Sequence, residues 1–411
     1  MIPADHSAAT PAPSDSHAGV PGGNPGDPAS ETAATAPLAA GEQTPAELAE
    51  ARRYGHLQLV AGLADKLLDI VFLAVMAFFV ARPVGAYLAT INPHPSVQLW
   101  LLFLLTTGLH LALSFPLSYY NGYWLEHRFG LSHLTLAGWL WRYTKVQILS
   151  ALFGGLLLWG LYAVIWTTGG WWWLVAAGLF FVVSVVAGQL IPVIIMPLFY
   201  KIQPIDNPEL LDRMSRLADG TGLSIAGVYR FDLSADTAKA NAMLAGLGRT
   251  RRVLMGDTLL ANFTPDEIEV IFAHEIAHHV FRHIRKMIAG GAVYTAIGFV
   301  LVDRLVMAWV HSANPAADYA HFPIDTLPLV MLVLTLFSLL LEPLQNAISR
   351  RFERQSDRYA LERTGRREAY ISAFQKLARL NKDDPAPHWL EVFWFHSHPP
   401  IADRLALADK R

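Results

Sequence analysis

Ala273-His274-Glu275-Ile276-Ala277-His278-His279 sets two imidazoles four residues apart, with a carboxylate beside the first. On a helix, His274 and His278 project from one face at a separation that one metal ion can bridge. Glu275 then reaches a water on that metal. Two nitrogen ligands, a carboxylate base and an open coordination position are the parts of a zinc hydrolase. The same spacing also arises in helices whose histidines serve packing alone, so the surroundings have to decide.

Just upstream, Thr264-Pro265-Asp266-Glu267 predicts the start of that helix. Thr264 suits the N-cap, Pro265 the first turn, and Glu267 completes a capping box. Ile268, Ile271, Phe272 and Ile276 form an apolar stripe that would bury the helix. Further back, Asn207-Pro208 opens a helix that stops near Gly220, and residues 227–232 alternate like a strand. Residues 241–247 and 251–255 are expected to pair as a hairpin around Gly248. A small antiparallel sheet therefore leads into the metal helix. An exposed strand at this place can take a peptide as one more strand. A sheet that only packs on the helix fits the pattern equally well.

Composition places this chemistry in a membrane. Of 411 residues, 53% are hydrophobic, with 12 Trp and 21 Phe, which is too apolar for an ordinary soluble chain. A net charge of −2 gives no reason to expect nucleic acid. Without cysteine there is neither a thiolate ligand nor a cysteine nucleophile, so a metal must use His, Asp or Glu. Residues 1–43 are rich in Ala, Pro, Gly, Ser and Thr and hold no Phe, Trp or Tyr, which predicts a disordered tail. Thr44-Pro45-Ala46-Glu47 opens a first helix by a second capping box.

Six spans are expected, near residues 67–88, 97–119, 146–167, 171–195, 287–310 and 327–344. Loops with and without Lys and Arg alternate along the chain. Arg52, Arg53, Arg128, Arg142, Lys145, Arg282, Arg285, Arg350 and Arg351 all fall on one side. The positive-inside rule then puts both termini and the metal motif on the cytoplasmic side. Inside the spans, His110, Asp303, Arg304 and Glu342 stand out as polar residues, and Trp171-Trp172-Trp173 reads as an interfacial anchor. The domain order that follows is a tail (1–43), four spans (44–200), a first peptidase part (201–286), two spans (287–345) and a second peptidase part (346–411).

A catalytic zinc needs a third protein ligand. After the sixth span comes Arg350-Arg351-Phe352-Glu353-Arg354-Gln355-Ser356-Asp357. Glu353 and Asp357 share a helix face, so Glu353 can ligate while Asp357 orients a ligating imidazole. Spacing alone also allows a solvated face among arginines. Further on, His396-Ser397-His398-Pro399-Pro400 and Arg404 offer groups that can steady an oxyanion.

In this order, with these spans, the motifs resemble the M48 zinc metallopeptidases, and among them the Ste24-type CAAX prenyl proteases. The resemblance runs from about Asn121 to Arg404 and includes Phe129-Gly130, Lys239-Ala240-Asn241-Ala242 and Asp257-Thr258-Leu259-Leu260. It implies a mainly α, polytopic membrane protein: a helical transmembrane barrel enclosing a chamber, with a small α+β zincin-like metallopeptidase domain on the cytoplasmic side. It implies one zinc on His274, His278 and Glu353, with Glu275 as general base. Asn241 and Ala242 would hold substrate backbone, His398 and Arg404 would stabilise the oxyanion, and Asp357 would support a ligand from behind. The substrate would be a peptide or protein in the bilayer, prenylated in the Ste24 case. The alternatives are an HtpX-type quality-control peptidase and, from another class, a non-enzymatic transporter or scaffold.

Overall fold

Thr44 accepts a hydrogen bond from Glu47 N at 3.2 Å, Thr44 N donates to Glu47 Oε2 at 2.8 Å, and helix begins at Pro45. In this computed structural model, which describes residues 42–221, 227–245 and 252–409, the expected capping box is thus complete. The tail expected over residues 1–43 lies almost wholly outside the described residues. Helix α1 spans Pro45–Ile91 with a π-helical turn at Met76–Val80, and α2 spans Pro95–Arg128 with another at Tyr120–Leu125. Helices α3 (Leu136–Thr168) and α4 (Trp172–Leu190) follow. They are joined by a tight turn whose Gly169 has φ +56°, a conformation that L side chains resist.

The polar part begins at β1 (Ile202–Pro204) and α5 (Pro208–Ala218), the latter capped by the Asn207 side chain. Strands β2 (Gly227–Phe231), β3 (Ala242–Ala245) and β4 (Arg252–Gly256) then lead through α6 (Asp257–Asn262) to α7 (Pro265–Val280). Among the described residues the sheet order is β1-β2-β4-β3. The expected β3–β4 pairing is present and antiparallel, and the turn at Gly248 lies outside the described residues. The sheet is not wholly antiparallel: β4 runs parallel to β2. Burial accounts for the interior position of β4. Val253, Leu254 and Met255 are all buried, so β4 takes the centre with a neighbour on each edge. Alternation in the sequence gives facing but not strand direction.

Helix α8 (His283–Ala313) returns to the membrane and α9 (Leu327–Thr364) comes back from it. Then α10 (Arg367–Asn381), α11 (Trp389–Phe395) and α12 (Ile401–Asp409) close the polar part. Among the described residues, five helical runs are long and apolar enough to cross a membrane, and the third, Leu136–Leu198, is 63 residues long and contains the turn at Gly169. Phe72, Leu102, Tyr162, Trp172, Val306 and Val330 share one core among these helices. Phe79, Leu152, Val182 and Leu340 face outward, as expected where the solvent is lipid.

Of the polar residues singled out in the spans, His110, Glu342 and Asp303 each have a polar partner. His110 Nε2 lies 2.6 Å from Asp69 and Lys66 Nζ lies 2.9 Å from Glu342. Asp303 accepts from Trp172 Nε1 at 2.7 Å and from the Tyr319 hydroxyl at 2.9 Å, while Arg304 is exposed. Trp172 is therefore a core residue rather than an interfacial anchor, and Trp171 is the exposed member of that run.

Candidate metal centre

Thr264 and Glu267 close the second capping box, and α7 buries Ile268, Ile271, Phe272 and Ile276 against the sheet and α10. That fixes which face of α7 carries His274 and His278. Helix α9 crosses α7, and its C-terminal half brings in Glu353. His274, His278 and Glu353 each offer a ligand atom, and these atoms lie within 4.8 Å of one another. His274 Nε2 is 3.3 Å from His278 Nε2 and 3.2 Å from Glu353 Oε2, and His278 Nε2 is 3.4 Å from Glu353 Oε1. Four-coordinate bonds of about 2.0–2.2 Å place ligand atoms about 3.3–3.6 Å apart.

Proton accounting tests whether a cation fits. Asp357 Oδ1 lies 2.9 Å from His274 Nδ1, so this nitrogen carries the proton and donates it. His274 Nε2 is left with a lone pair. His283 Nε2–H donates to Gln355 Oε1 at 3.0 Å, which leaves His283 Nδ1 to accept from His278 Nδ1–H at 3.1 Å. His278 Nε2 is then a lone pair as well. Both lone pairs meet the Glu353 carboxylate, whose buried Oε2 makes no hydrogen bond of acceptable geometry. Three electron-pair donors that face one another repel unless a cation sits between them. The residues fit a divalent metal.

The same groups also attract a proton, which competes with a metal for His274 Nε2. Burial opposes charging His274, but hydrogen bonds to Asp357 and Glu353 outweigh it and hold the ring up to about 10. The field at this nitrogen favours positive charge. Burial, with the neighbouring His274 charge, pushes His278 down to about 4, so its ring is neutral at neutral pH. Burial also raises the Glu275 carboxyl.

The structure places the remaining expected residues as follows. Arg404 is buried and forks onto Asp357, with Nε 3.0 Å from Oδ2 and Nη2 2.6 Å from Oδ1. Its guanidinium also lies 3.8 Å over the Phe374 ring. Arg404 therefore sits behind His274, engaged with Asp357, and also lines the cleft. His398 Nδ1 lies 2.9 Å from Glu353 Oε2 and its side chain is 64% exposed, at the open side of the centre. Glu275 accepts from Leu244 N at 3.1 Å. Since Gly256 N donates to Asn241 O, the antiparallel register turns the backbone groups of Ala242 and Leu244 away from β4. The Leu244 amide is taken by Glu275, and Ala242 borders the cleft.

That cleft has a volume of about 680 Å³ and is lined by His274, Glu275, Glu353, His398 and Arg404 at one end and Lys66 and Glu342 at the other. Three of its supports escaped the sequence reading. His283 and Gln355 lie off the motif's helical spacing, and Asn381, which accepts from Ala240 N at 3.0 Å and so pins the start of β3, has no motif at all.

Two family models match the chain: "CAAX prenyl protease N-terminal, five membrane helices" over residues 30–201, and "Peptidase family M48" over residues 204–411. The uncharacterized metalloprotease YhfN of Bacillus subtilis is 28% identical over 385 residues, covering 89% of this chain and 86% of that one. CAAX prenyl protease 1 of Saccharomyces cerevisiae is 29% identical over 324 residues, covering 74% and 70%. The crystal structure of S. mikatae Ste24p shares the fold, with a TM-score of 0.77 over 89% of both chains at 24% identity. A transporter or scaffold without catalytic chemistry does not suit these relationships. The chain belongs to peptidase family M48 and is an integral-membrane metallopeptidase of the Ste24 type.

Proposed function

We propose that this chain is a zinc endopeptidase that cuts a peptide bond near the C-terminus of a membrane-associated, prenylated substrate. The observation that carries the metal is the convergence of His274 Nε2, His278 Nε2 and the Glu353 carboxylate, all three left as electron-pair donors by their outer partners. Imidazole and carboxylate without thiolate suit zinc at four coordination. Zinc held there supplies a Lewis acid that polarises a carbonyl and lowers the pKa of water toward about 7.

The chain's own residues do the rest. Glu275, beside the first ligand, takes a proton from the attacking water and passes it to the leaving amine. The raised carboxyl suits this shuttle, because its proton affinity lies closer to neutrality than that of an exposed glutamate. His398, on the open side of the centre, donates to the developing oxyanion. Arg404 holds Asp357, and Asp357 holds the His274 ring. Ala242 receives the substrate backbone at the free edge of β3, and the exposed Asn241 side chain assists from the cleft wall.

The prenyl reading draws on the CAAX prenyl protease relatives and on the cleft, which continues from the metal centre to Lys66 and Glu342 of the membrane helices. A substrate held at the metal would thus also lie against α1 and α9. The peptidase domain is read as two parts, 201–286 and 346–411, divided by two spans. The turn at Gly169 supports six crossings, with basic loops on the cytoplasmic side.

Glu275→Gln in purified protein tests the assignment. Cleavage of a prenylated CAAX peptide should fall about 10²–10⁴-fold while zinc content is unchanged. Undiminished turnover would remove Glu275 from the reaction. An unfolded membrane protein cut faster than the CAAX peptide by the unaltered enzyme would instead favour the HtpX-type quality-control role.

A further inference from the structure

We propose that His283 and Gln355 form a hydrogen-bond relay that orients His278 for the metal, which makes His283 a positioning residue of the centre. The inference rests on the metal reading above and adds to it residues outside the ligand motif.

His278 stands in the last turn of α7, which ends at Val280. A ligand at a helix end is free to swing unless its second ring nitrogen is held. His274, one turn earlier, is held by Asp357. His278 has no carboxylate on Nδ1 and has His283 Nδ1 at 3.1 Å instead. The two imidazoles can share only one proton between them at that contact. Gln355 decides where it lies. Its carbonyl oxygen accepts from His283 Nε2–H, so the His283 Nδ1 lone pair faces His278 and the shared proton belongs to His278 Nδ1. The opposite amide orientation would reverse each proton in turn and place a hydrogen on His278 Nε2, where the metal is to bind.

The backbone is shaped to deliver this contact. Arg282 adopts φ +58° between α7 and α8, a left-handed conformation that a non-glycine residue resists. The turn brings His283, the first residue of α8, back beneath His278. There the ring is completely buried and stacked on Phe352, with centroids 4.1 Å apart and planes 10° apart. Phe352 and Gln355 are three apart on α9, so one face of that helix grips both the ring plane and the ring nitrogen of His283. The adjoining face carries Glu353 and Asp357. One helix thus supplies the third ligand and the outer supports of both histidine ligands.

A buried ring stacked on phenylalanine can also be explained by packing alone, and the test separates the two roles. His283→Phe keeps the stack and removes the relay. Gln355→Leu removes the acceptor, and Gln355→Glu keeps it. Zinc affinity is read in detergent by competition with a chromogenic chelator, together with the zinc-dependent rise in melting temperature, so that neither readout requires catalysis. His283→Phe and Gln355→Leu should weaken zinc binding about 10–100-fold, and Gln355→Glu should stay within a few-fold of the unaltered protein. If His283→Phe does not fold, the Leu and Glu variants at Gln355, a partly exposed position, carry the comparison. Equal affinity in His283→Phe and Gln355→Leu would overturn the relay and leave the metal centre standing. An unaltered protein that binds no zinc would overturn both.

Discussion

Arg404 is buried, forked on Asp357 and stacked over Phe374, so two neighbours lose a partner if it goes. Arg404→Ala leaves a buried carboxylate without its cation, a change expected to cost about 3–5 kcal/mol. Arg404→Lys supplies charge without the fork and should recover only part of that loss. Thermal unfolding of the two variants in detergent checks the order, and equal melting temperatures for Arg404→Ala and the unaltered protein would contradict it. Glu267 gives a pH prediction. Burial alone would raise its carboxyl, but Lys376 Nζ at 2.8 Å, the Ser372 hydroxyl at 2.6 Å and the Thr264 amide hold it below the usual value of 4.5. A depressed folded-state pKa stabilises the fold above the unfolded value and stops doing so as pH falls through the folded one. Stability should therefore decline with acid below about pH 4.5, and Glu267→Gln should flatten that part of the curve. At this scale His274, His278 and Glu275 were legible, because helix periodicity turns four-residue spacing into proximity. His283 was not: it lies past the helix end, and only the left-handed turn at Arg282 brings it back.

Among the elements, the pair α2 and α3 shows how membrane helices approach. A Cβ on Gly155 of α3 would come within 2.3 Å of Trp100 and 2.8 Å of Phe103 on α2, whereas one on Gly154 would meet nothing within 4 Å. Gly155→Ala should destabilise the fold by about 1–3 kcal/mol, with Gly154→Ala as the neutral control in the same thermal assay. A neutral Gly155→Ala would mean that the two helices are not this close. The helices themselves were legible from apolar runs and from both capping boxes, since those signals are local. The sheet was legible only in part. The β3–β4 hairpin is a neighbour contact along the chain, but the parallel β2–β4 pair depends on which strand is buried on both edges, a property of the assembled sheet. Arg404 follows the same logic: its partner Asp357 lies 47 residues away, and nothing in the spacing says that the fork is already occupied.

Over the whole molecule, the metal centre is tied to the membrane by covalent continuity. Helix α9 runs for 38 residues from Leu327 in the membrane part through Glu353 and Asp357 to Thr364, and only two residues separate the metal helix from α8. Movement of either span would move a ligand or its support. Two imidazoles and one carboxylate, far apart in sequence, converge where one divalent metal fits. The most direct test is metal analysis of the purified chain and of Glu353→Ala after the same chelation and zinc reloading. The account predicts about one tightly held zinc per chain in the unaltered protein and at least a tenfold loss of affinity in Glu353→Ala. Zinc held equally well by Glu353→Ala would contradict it.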